Sequence, residues 1–124
     1  MLNDATSLTW QLYPPPGVAT PTPAWLVELS EMRGRVLYAE GRRPAFRLAN
    51  GRFADPDPLD VYAYHLVAYA ATGAVGCIRL VPLADLPECF SEHLVGHQAF
   101  AQALDALQMT RPQAVEGGRW MVVP

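Results

Sequence analysis

Two apolar stretches follow each other near the middle of the chain, at residues 61–71 and 74–80. Thr72-Gly73 separates them, and glycine readily adopts the positive φ that a tight turn requires. The pattern predicts an antiparallel β-hairpin. A membrane-spanning helix is disfavoured, because the segment is rich in Ala, Gly and Tyr and is broken in the middle.

His65 and Arg79 are the strongly polar side chains of this hairpin. Arginine is almost never fully buried without a partner, because an uncompensated charge is costly to remove from water. We therefore predict that Arg79 pairs with one of three acidic residues: Asp57, Asp60 or Glu116.

A helix is predicted before the hairpin, since apolar residues recur at helical spacing over residues 26–37. Thr22-Pro23 suits the start of this helix and Gly41 suits its end. Arg33 and Arg35 lie on it, and composition alone favours a solvent-exposed position for both.

The first 24 residues contain the densest proline cluster of the chain, with Pro14-Pro15-Pro16, Pro21 and Pro23. Proline prevents a regular helix and favours extended or polyproline II chain. We expect a proline-rich leader over residues 1–24, outside the core, followed by a single domain over residues 25–124.

Two further elements are predicted after the hairpin. A strand is expected over residues 114–124, where Gly117-Gly118 indicates a β-bulge or the close approach of a ligand to the backbone. A helix is expected over residues 91–109. Its predicted inner side consists of Phe90, Leu94, Ala101, Leu104 and Leu107.

Two groups of residues are weak signals for a metal ion. Asp55, Asp57 and Asp60 lack the glycine and the terminal glutamate of an EF-hand loop, so a turn before the hairpin is favoured. His93 and His97 are four residues apart, but no third ligand accompanies them. We expect no metal site.

The composition indicates one α/β domain and narrows the function little. The chain has 124 residues, of which 51% are hydrophobic. Its net charge of −3 does not favour binding to nucleic acid. Its two cysteines form no disulfide framework, so a reducing, cytoplasmic setting is expected. No nucleophile–base pair and no glycine-rich phosphate loop stands out.

Four motifs in fixed order resemble a group of GNAT-fold acyltransferases. The group contains the N-acyl-homoserine lactone synthases and the N-acyl amino acid synthases. The motifs are Arg33 with Val36 and Tyr38, Asp57-Pro-Leu-Asp60 followed by Ala63-Tyr-His65-Leu-Val-Ala, Gly76-Cys-Ile-Arg79-Leu-Val-Pro82, and Glu116-Gly-Gly-Arg119. The resemblance covers residues 28–124 and implies an α/β fold with a mixed, largely antiparallel sheet flanked by helices.

The resemblance also implies an activity and a site. Such enzymes transfer a fatty acyl group from acyl-CoA or acyl carrier protein to the amine of an amino acid or a related small molecule. The implied catalytic residues are Glu116, Arg79 and Asp60. The implied substrate-binding residues are Arg33, Asp57, Gly117, Gly118 and Arg119. Gly118 stands where the lactone synthases usually have serine, which favours an N-acyl amino acid synthase-like protein.

A loop that binds the pyrophosphate of the donor is expected after the last strand of such a fold. The chain ends at Pro124, so we expect a truncated enzyme with little activity of its own and marginal solubility. Two classes stay open: part of an N-acyltransferase, or a non-catalytic remnant or interaction module with the same half-fold. An unpaired sheet edge also leaves homo-oligomerisation open.

Overall fold

The fold is a four-stranded antiparallel sheet with a long helix packed on one face. The structure, a computed structural model, describes residues 7–18, 21–41 and 43–124. The strands lie in the order β1-β2-β3-β4, and each pairs antiparallel with its neighbours. They are β1 (Thr9–Tyr13), β2 (Tyr64–Ala70), β3 (Gly73–Pro82) and β4 (Val115–Val122). The α-helices are α1 (Ala24–Gly41), α2 (Phe90–Val95) and α3 (His97–Ala106).

The predicted central hairpin is confirmed as β2 and β3, with Gly73 at φ 120° in the turn. β2 begins later than predicted, because Pro58–Tyr62 forms a 3₁₀ turn. Asp57 caps this turn, and its Oδ1 accepts a hydrogen bond of 2.9 Å from the Leu59 N–H. The acidic segment therefore turns into the hairpin, as its proline–aspartate pattern predicts.

Helix α1 is also confirmed, and its apolar side packs on the sheet. The buried cluster that results is Leu26, Leu29, Met32 and Val36 of α1 with Val67, Cys77 and Met121 of the strands. A second buried cluster lies further along the same side: Ala63, Val81, Leu83, Leu86, Cys89 and Ala114. Within the part of the chain that the structure describes, no helix is long and apolar enough to cross a membrane.

The predicted leader over residues 1–24 is corrected at Thr9–Tyr13, which pairs with β2 as an edge strand of the sheet, although its first four residues are exposed. Tyr13 stacks on Trp25 with ring centroids 4.0 Å apart, and its hydroxyl lies 2.7 Å from that of Tyr69. The strand ends at Tyr13, directly before Pro14, and a residue that precedes proline favours extended backbone, so the proline is compatible with the strand. Residues 1–6, 19 and 20 of the predicted leader lie outside the described residues.

The prediction of one helix over residues 91–109 is wrong, because Gly96 adopts φ 91° and ψ 153° and separates α2 from α3. The break changes which side of each helix faces the core. Of the predicted inner side, Leu104 packs against the second cluster together with Phe100 and Met109. The remaining members are exposed: Phe90, Leu94, Ala101 and Leu107.

Candidate active site

Six charged side chains form a closed ring of alternating sign on the helix-covered face of the sheet. Each arginine of this charge ring contacts two aspartates, and each aspartate contacts two arginines, with N–O distances between 2.6 and 3.2 Å. The order around the ring is Arg33, Asp55, Arg119, Asp57, Arg79 and Asp60, which returns to Arg33. Three positive and three negative charges are thereby balanced.

Four parts of the chain supply the charge ring: α1, β3, β4 and the segment of residues 54–60, which runs into the 3₁₀ turn. Gly34 allows α1 to lie directly against that segment, because a Cβ there would come within 2.5–2.8 Å of the Ala54 backbone. The N–H of Asp55 donates to the hydroxyl and the carbonyl of Ser30, both at 3.0 Å. Arg79 lies between Cys77 and Val81 on one face of β3, so the ring is enclosed by the two apolar clusters.

Burial decreases around the charge ring. Arg33 and Asp55 are 0% and 1% exposed, whereas the Arg119 side chain is 32% exposed. The buried part is held rigidly, since Arg33 donates to both carboxylate oxygens of Asp60 and to the Asp55 carbonyl. Arg119 and Asp57 therefore form the side of the ring that is open to a ligand.

The surroundings shift the pKa of two ring members, Arg33 and Asp57, and of the neighbouring His65. Burial opposes the charge on Arg33, but the hydrogen bond and the charge of Asp60 raise its pKa above the ordinary value. Burial also opposes the charge on Asp57, but the Leu59 N–H and Arg79 lower the pKa of that carboxyl. Burial lowers the pKa of His65, whose Nε2 lies 2.9 Å from the Asp60 carbonyl oxygen.

The predicted partner of Arg79 is confirmed, because Asp57 and Asp60 lie 3.2 and 3.0 Å from its Nη1. Composition alone favoured a solvent-exposed position for both helix arginines. This is wrong for Arg33, which is fully buried, and correct for Arg35, which is exposed. The structure thus brings together five of the predicted site residues: Arg33, Asp57, Asp60, Arg79 and Arg119.

Asp55 is the ring member that the sequence analysis did not assign to the site. It was weighed there only as a weak metal ligand. Charge balance gave no signal for it, because the three arginines of the resemblance motifs had three acids assigned beside them: Asp57, Asp60 and Glu116. The structure places Asp55, and not Glu116, between Arg33 and Arg119.

Glu116 lies outside the charge ring. Its carboxylate accepts hydrogen bonds from the Phe90 N–H at 3.0 Å, the Ser91 N–H at 2.7 Å and the Ser91 hydroxyl at 2.6 Å. Burial opposes the charge, but these donors lower the pKa of Glu116 below its ordinary value. Glu116 therefore fixes the first turn of α2 to β4 and is a weak proton acceptor in this arrangement.

Gly117 and Gly118 lie in β4 and face opposite sides of the sheet. A Cβ on Gly117 would lie 3.8 and 3.9 Å from Leu80 and Ile78, whereas a Cβ on Gly118 would meet nothing within 4 Å. The register between β3 and β4 shifts beside the glycines, and Arg119 there has φ 50°. The predicted β-bulge is thus confirmed, and it turns Arg119 toward the ring.

One cavity lies between α1 and residues 48–61, and another lies on the face of the sheet away from α1. The first, of about 420 Å³, is bordered by Asp57 and Asp60 and by apolar residues of α1 and of the segment that follows it. The other, of about 300 Å³, lies on the face away from α1 and is almost wholly apolar. Its walls include Trp10, Ile78, Trp120 and Val122.

The two histidines considered as metal ligands contact glutamates instead. His93 lies 3.0 Å from Glu88, and His97 lies 3.1 Å from Glu88 and 2.8 Å from Glu92. Among residues 7–18, 21–41 and 43–124, no group of three or more His, Cys, Asp or Glu side chains is arranged to hold a metal ion.

Comparison with known families decides the classification. Residues 32–124 match the family model described as an acetyltransferase (GNAT) domain. The chain belongs to the GNAT acetyltransferase family. All six residues of the charge ring lie inside the matched stretch, so the resemblance seen in the motifs is confirmed.

A solved structure supports the same GNAT fold. The crystal structure of the AHL synthase LasI matches with a TM-score of 0.51 and 13% sequence identity. The match covers 95% of this chain and 54% of LasI, so the chain spans about half the length of that protein. At this identity the likeness shows the fold alone. No curated protein sequence matches the chain.

Proposed function

We propose that the chain is part of an N-acyltransferase that moves a fatty acyl group from acyl-CoA or acyl carrier protein to the amine of an amino acid or a related small molecule. The observation that carries this proposal is the GNAT match over residues 32–124, because that stretch contains the whole charge ring. Amide formation from a thioester needs a positioned amine that can lose a proton and fixed donors for the developing oxyanion.

The cavity between α1 and residues 48–61 suits the acceptor. Asp57 and Asp60 border the cavity of about 420 Å³, and their carboxylates attract an ammonium group. The apolar walls of this cavity, which include Leu26 and Phe53, suit the body of a small molecule. Arg79 and Asp60 act here as fixed charges. The buried Arg33 orients Asp60 through hydrogen bonds to both of its carboxylate oxygens.

The opposite face of the sheet suits an acyl chain. Its cavity presents little polar surface and lies between Trp10 and Trp120, both of which are largely exposed. Burial of an apolar chain there stabilises the complex by about 0.8 kcal/mol for each CH₂ group. A long acyl group therefore gains more affinity from this face than an acetyl group.

Acceptor and donor meet at Gly117 and Gly118 in this proposal. Within the described residues β4 is the last strand of the sheet, and the two glycines leave it without side chains on either face. Close approach of a thioester to the backbone favours glycine for the same reason. Glu116 holds α2 beside this point, so we assign it the positioning of the reacting groups.

Acyl transfer is tested with acyl-CoA and acyl carrier protein donors of short and long chain length and a panel of amino acids. We expect thiol release that depends on the acceptor, together with an N-acyl amide identified by mass spectrometry. Thioester loss at the same rate without an acceptor, or no amide from any pair, contradicts the proposal and favours a non-catalytic role.

Two variants separate the roles of Glu116. Ser91→Ala removes one hydrogen bond to Glu116 but keeps the carboxylate, whereas Glu116→Gln removes the charge. A positioning role predicts that both lower kcat by similar factors and that kcat keeps its pH profile. A proton-accepting role predicts a far larger loss in Glu116→Gln alone, together with a changed pH profile.

A further inference from the structure

Arg52 lies in the wall of the cavity between α1 and residues 48–61, which we propose for the acceptor. The turn before it fixes its backbone. Oδ1 of Asn50 accepts a hydrogen bond of 3.0 Å from the Arg52 N–H, and the Arg52 carbonyl accepts one of 2.7 Å from the Leu48 N–H. The side chain of Arg52 is 62% exposed. It therefore starts from a fixed point and is free to exchange partners at the mouth of the cavity.

Glu31 of α1 lies in the same wall and holds the Arg52 side chain. Its Oε2 lies 2.7 Å from Nη2 of Arg52, and its Oε1 lies 3.4 Å from Nη2 of Arg35. The hydrogen bond from Arg52 lowers the pKa of Glu31 below its ordinary value, so Glu31 is charged at neutral pH. Because Glu31 has two cationic partners, it keeps Arg35 when Arg52 turns to another carboxylate.

The charges of the wall suit a molecule that carries both signs. Asp57 and Asp60 attract an ammonium group, and among the described residues of the wall Arg52 is the only cation. A guanidinium binds a carboxylate through two parallel hydrogen bonds, and such charge-assisted bonds are strong. An exposed ion pair such as Arg52 with Glu31 contributes little, so a ligand carboxylate displaces Glu31 at small cost. A phosphate dianion fits less well, because the carboxylates of the wall repel it.

We infer that Arg52 binds the carboxylate of an α-amino acid acceptor and that Glu31 occupies Arg52 until the acceptor arrives. The acceptor class is thereby narrowed from amines in general to amines that carry a carboxylate. This inference rests on the proposed function for the role of the amino acid as acceptor. Binding itself needs no acyl donor and is measured alone.

The test follows the backbone amide resonance of Ala54, which lines the cavity, during titration with L-leucine and three analogues. Isocaproate is leucine without the ammonium group, L-leucinamide lacks the carboxylate, and inorganic phosphate probes for a phosphate site. We expect saturable binding of L-leucine and weaker binding of all three analogues. No binding of L-leucine, or L-leucinamide or phosphate bound as tightly as L-leucine, overturns the inference.

Two arginine variants locate the carboxylate. Arg52→Gln should weaken L-leucine binding about fivefold and leave L-leucinamide binding unchanged. Arg35→Gln is the matched control, because Arg35 is a comparably exposed partner of the same Glu31 and does not line the cavity. It should change L-leucine binding less than about twofold. Equal losses in the two variants, or an equal loss of L-leucine and L-leucinamide in Arg52→Gln, overturn the inference.

Glu31→Gln tests the exchange of partners. The variant releases Arg52, so L-leucine should bind more tightly than to the wild type, whereas L-leucinamide should not. Circular dichroism confirms that the variant is folded. No gain in L-leucine affinity in Glu31→Gln shows that Glu31 and Arg52 form a surface ion pair only, and it overturns the inference.

The titration also separates this inference from the proposed function. Binding of L-leucine that depends on Arg52, without amide formation in the transfer assay, leaves the subsite standing and contradicts the transferase. Amide formation from L-leucine with the same KM in the wild type and in Arg52→Gln supports the transferase and removes the subsite.

Discussion

The protein contains two networks of charged side chains that differ in burial and in origin. The charge ring joins residues far apart in sequence, such as Asp55 and Arg119, which are 64 positions apart. The second network joins α2 and α3 to nearby segments, and its histidines are 71% and 69% exposed. We call it the exposed network; its members are Glu88, Glu92, His93, His97 and Arg111.

The two networks show where charge matters for this fold. Water can replace a lost partner at the exposed pairs of this network, such as His93 with Glu88, so these pairs contribute little, although Glu92 itself is buried. Water cannot easily replace a partner around Arg33, because its neighbours Asp55 and Asp60 are buried with it. Removal of one ring member therefore leaves an uncompensated charge in the core.

Arg33→Met is expected to have the largest effect. It leaves Asp55 and Asp60 with one arginine each in a buried position, and such losses cost about 3–5 kcal/mol. Denaturation with urea, followed by circular dichroism, measures the change in the free energy of unfolding.

Arg35→Met is the matched control for this variant, since Arg35 lies on the same helix with an exposed side chain. We expect its free energy of unfolding to change by less than about 0.5 kcal/mol. Equal losses in the two variants would contradict a special role for burial in the charge ring.

Gly34→Ala is expected to have the next largest effect, because the new Cβ meets the Ala54 backbone at 2.5–2.8 Å. Such overpacking costs about 1–3 kcal/mol, against which alanine improves helix propensity by up to about 1 kcal/mol. The midpoint of thermal unfolding should fall. Gly118→Ala is the control, because its new Cβ meets nothing within 4 Å, and it should unfold at the same midpoint as the wild type. A higher midpoint in Gly34→Ala would contradict the close approach of α1 to the Ala54 backbone.

The smallest effect concerns pH. Burial lowers the pKa of His65 in the folded state, so below about pH 6.5, the ordinary value for histidine, the unfolded state binds this proton more readily. Its contribution to stability is present above that pH and is lost on acidification, with a slope of at most about 1.4 kcal/mol per pH unit. Unfolding measured from pH 7 to pH 5 should show this slope.

Two histidine variants sharpen the pH prediction. His65→Gln should reduce the slope, because it removes the group whose proton affinity differs between the folded and unfolded states. His93→Gln changes an exposed histidine of the exposed network and should leave most of the slope in place. A slope that depends on His93 and not on His65 would reverse the comparison between the two networks.

The spacing of apolar residues along the chain predicted the elements that depend on neighbouring residues. The hairpin of β2 and β3 followed from two apolar runs around Gly73, and α1 followed from helical spacing between suitable end residues. The break at Gly96 was missed, because a single glycine is also tolerated inside a helix. The strand at Thr9–Tyr13 was missed, because pairing with β2 decides it and the neighbouring prolines suggested otherwise.

For the site, the residues around Arg79 were enough to predict that an arginine between Ile78 and Leu80 requires an acid, since a buried charge is costly in any fold. Motifs that resemble known acyltransferases added most of the other members. The tertiary structure alone decided that Arg33 is buried, that Asp55 completes the charge ring and that Glu116 holds α2. These facts depend on where distant segments meet: Gly34 brings α1 against Ala54, and the bulge in β4 turns Arg119 inward. No local pattern contains those distances, because chain packing sets them.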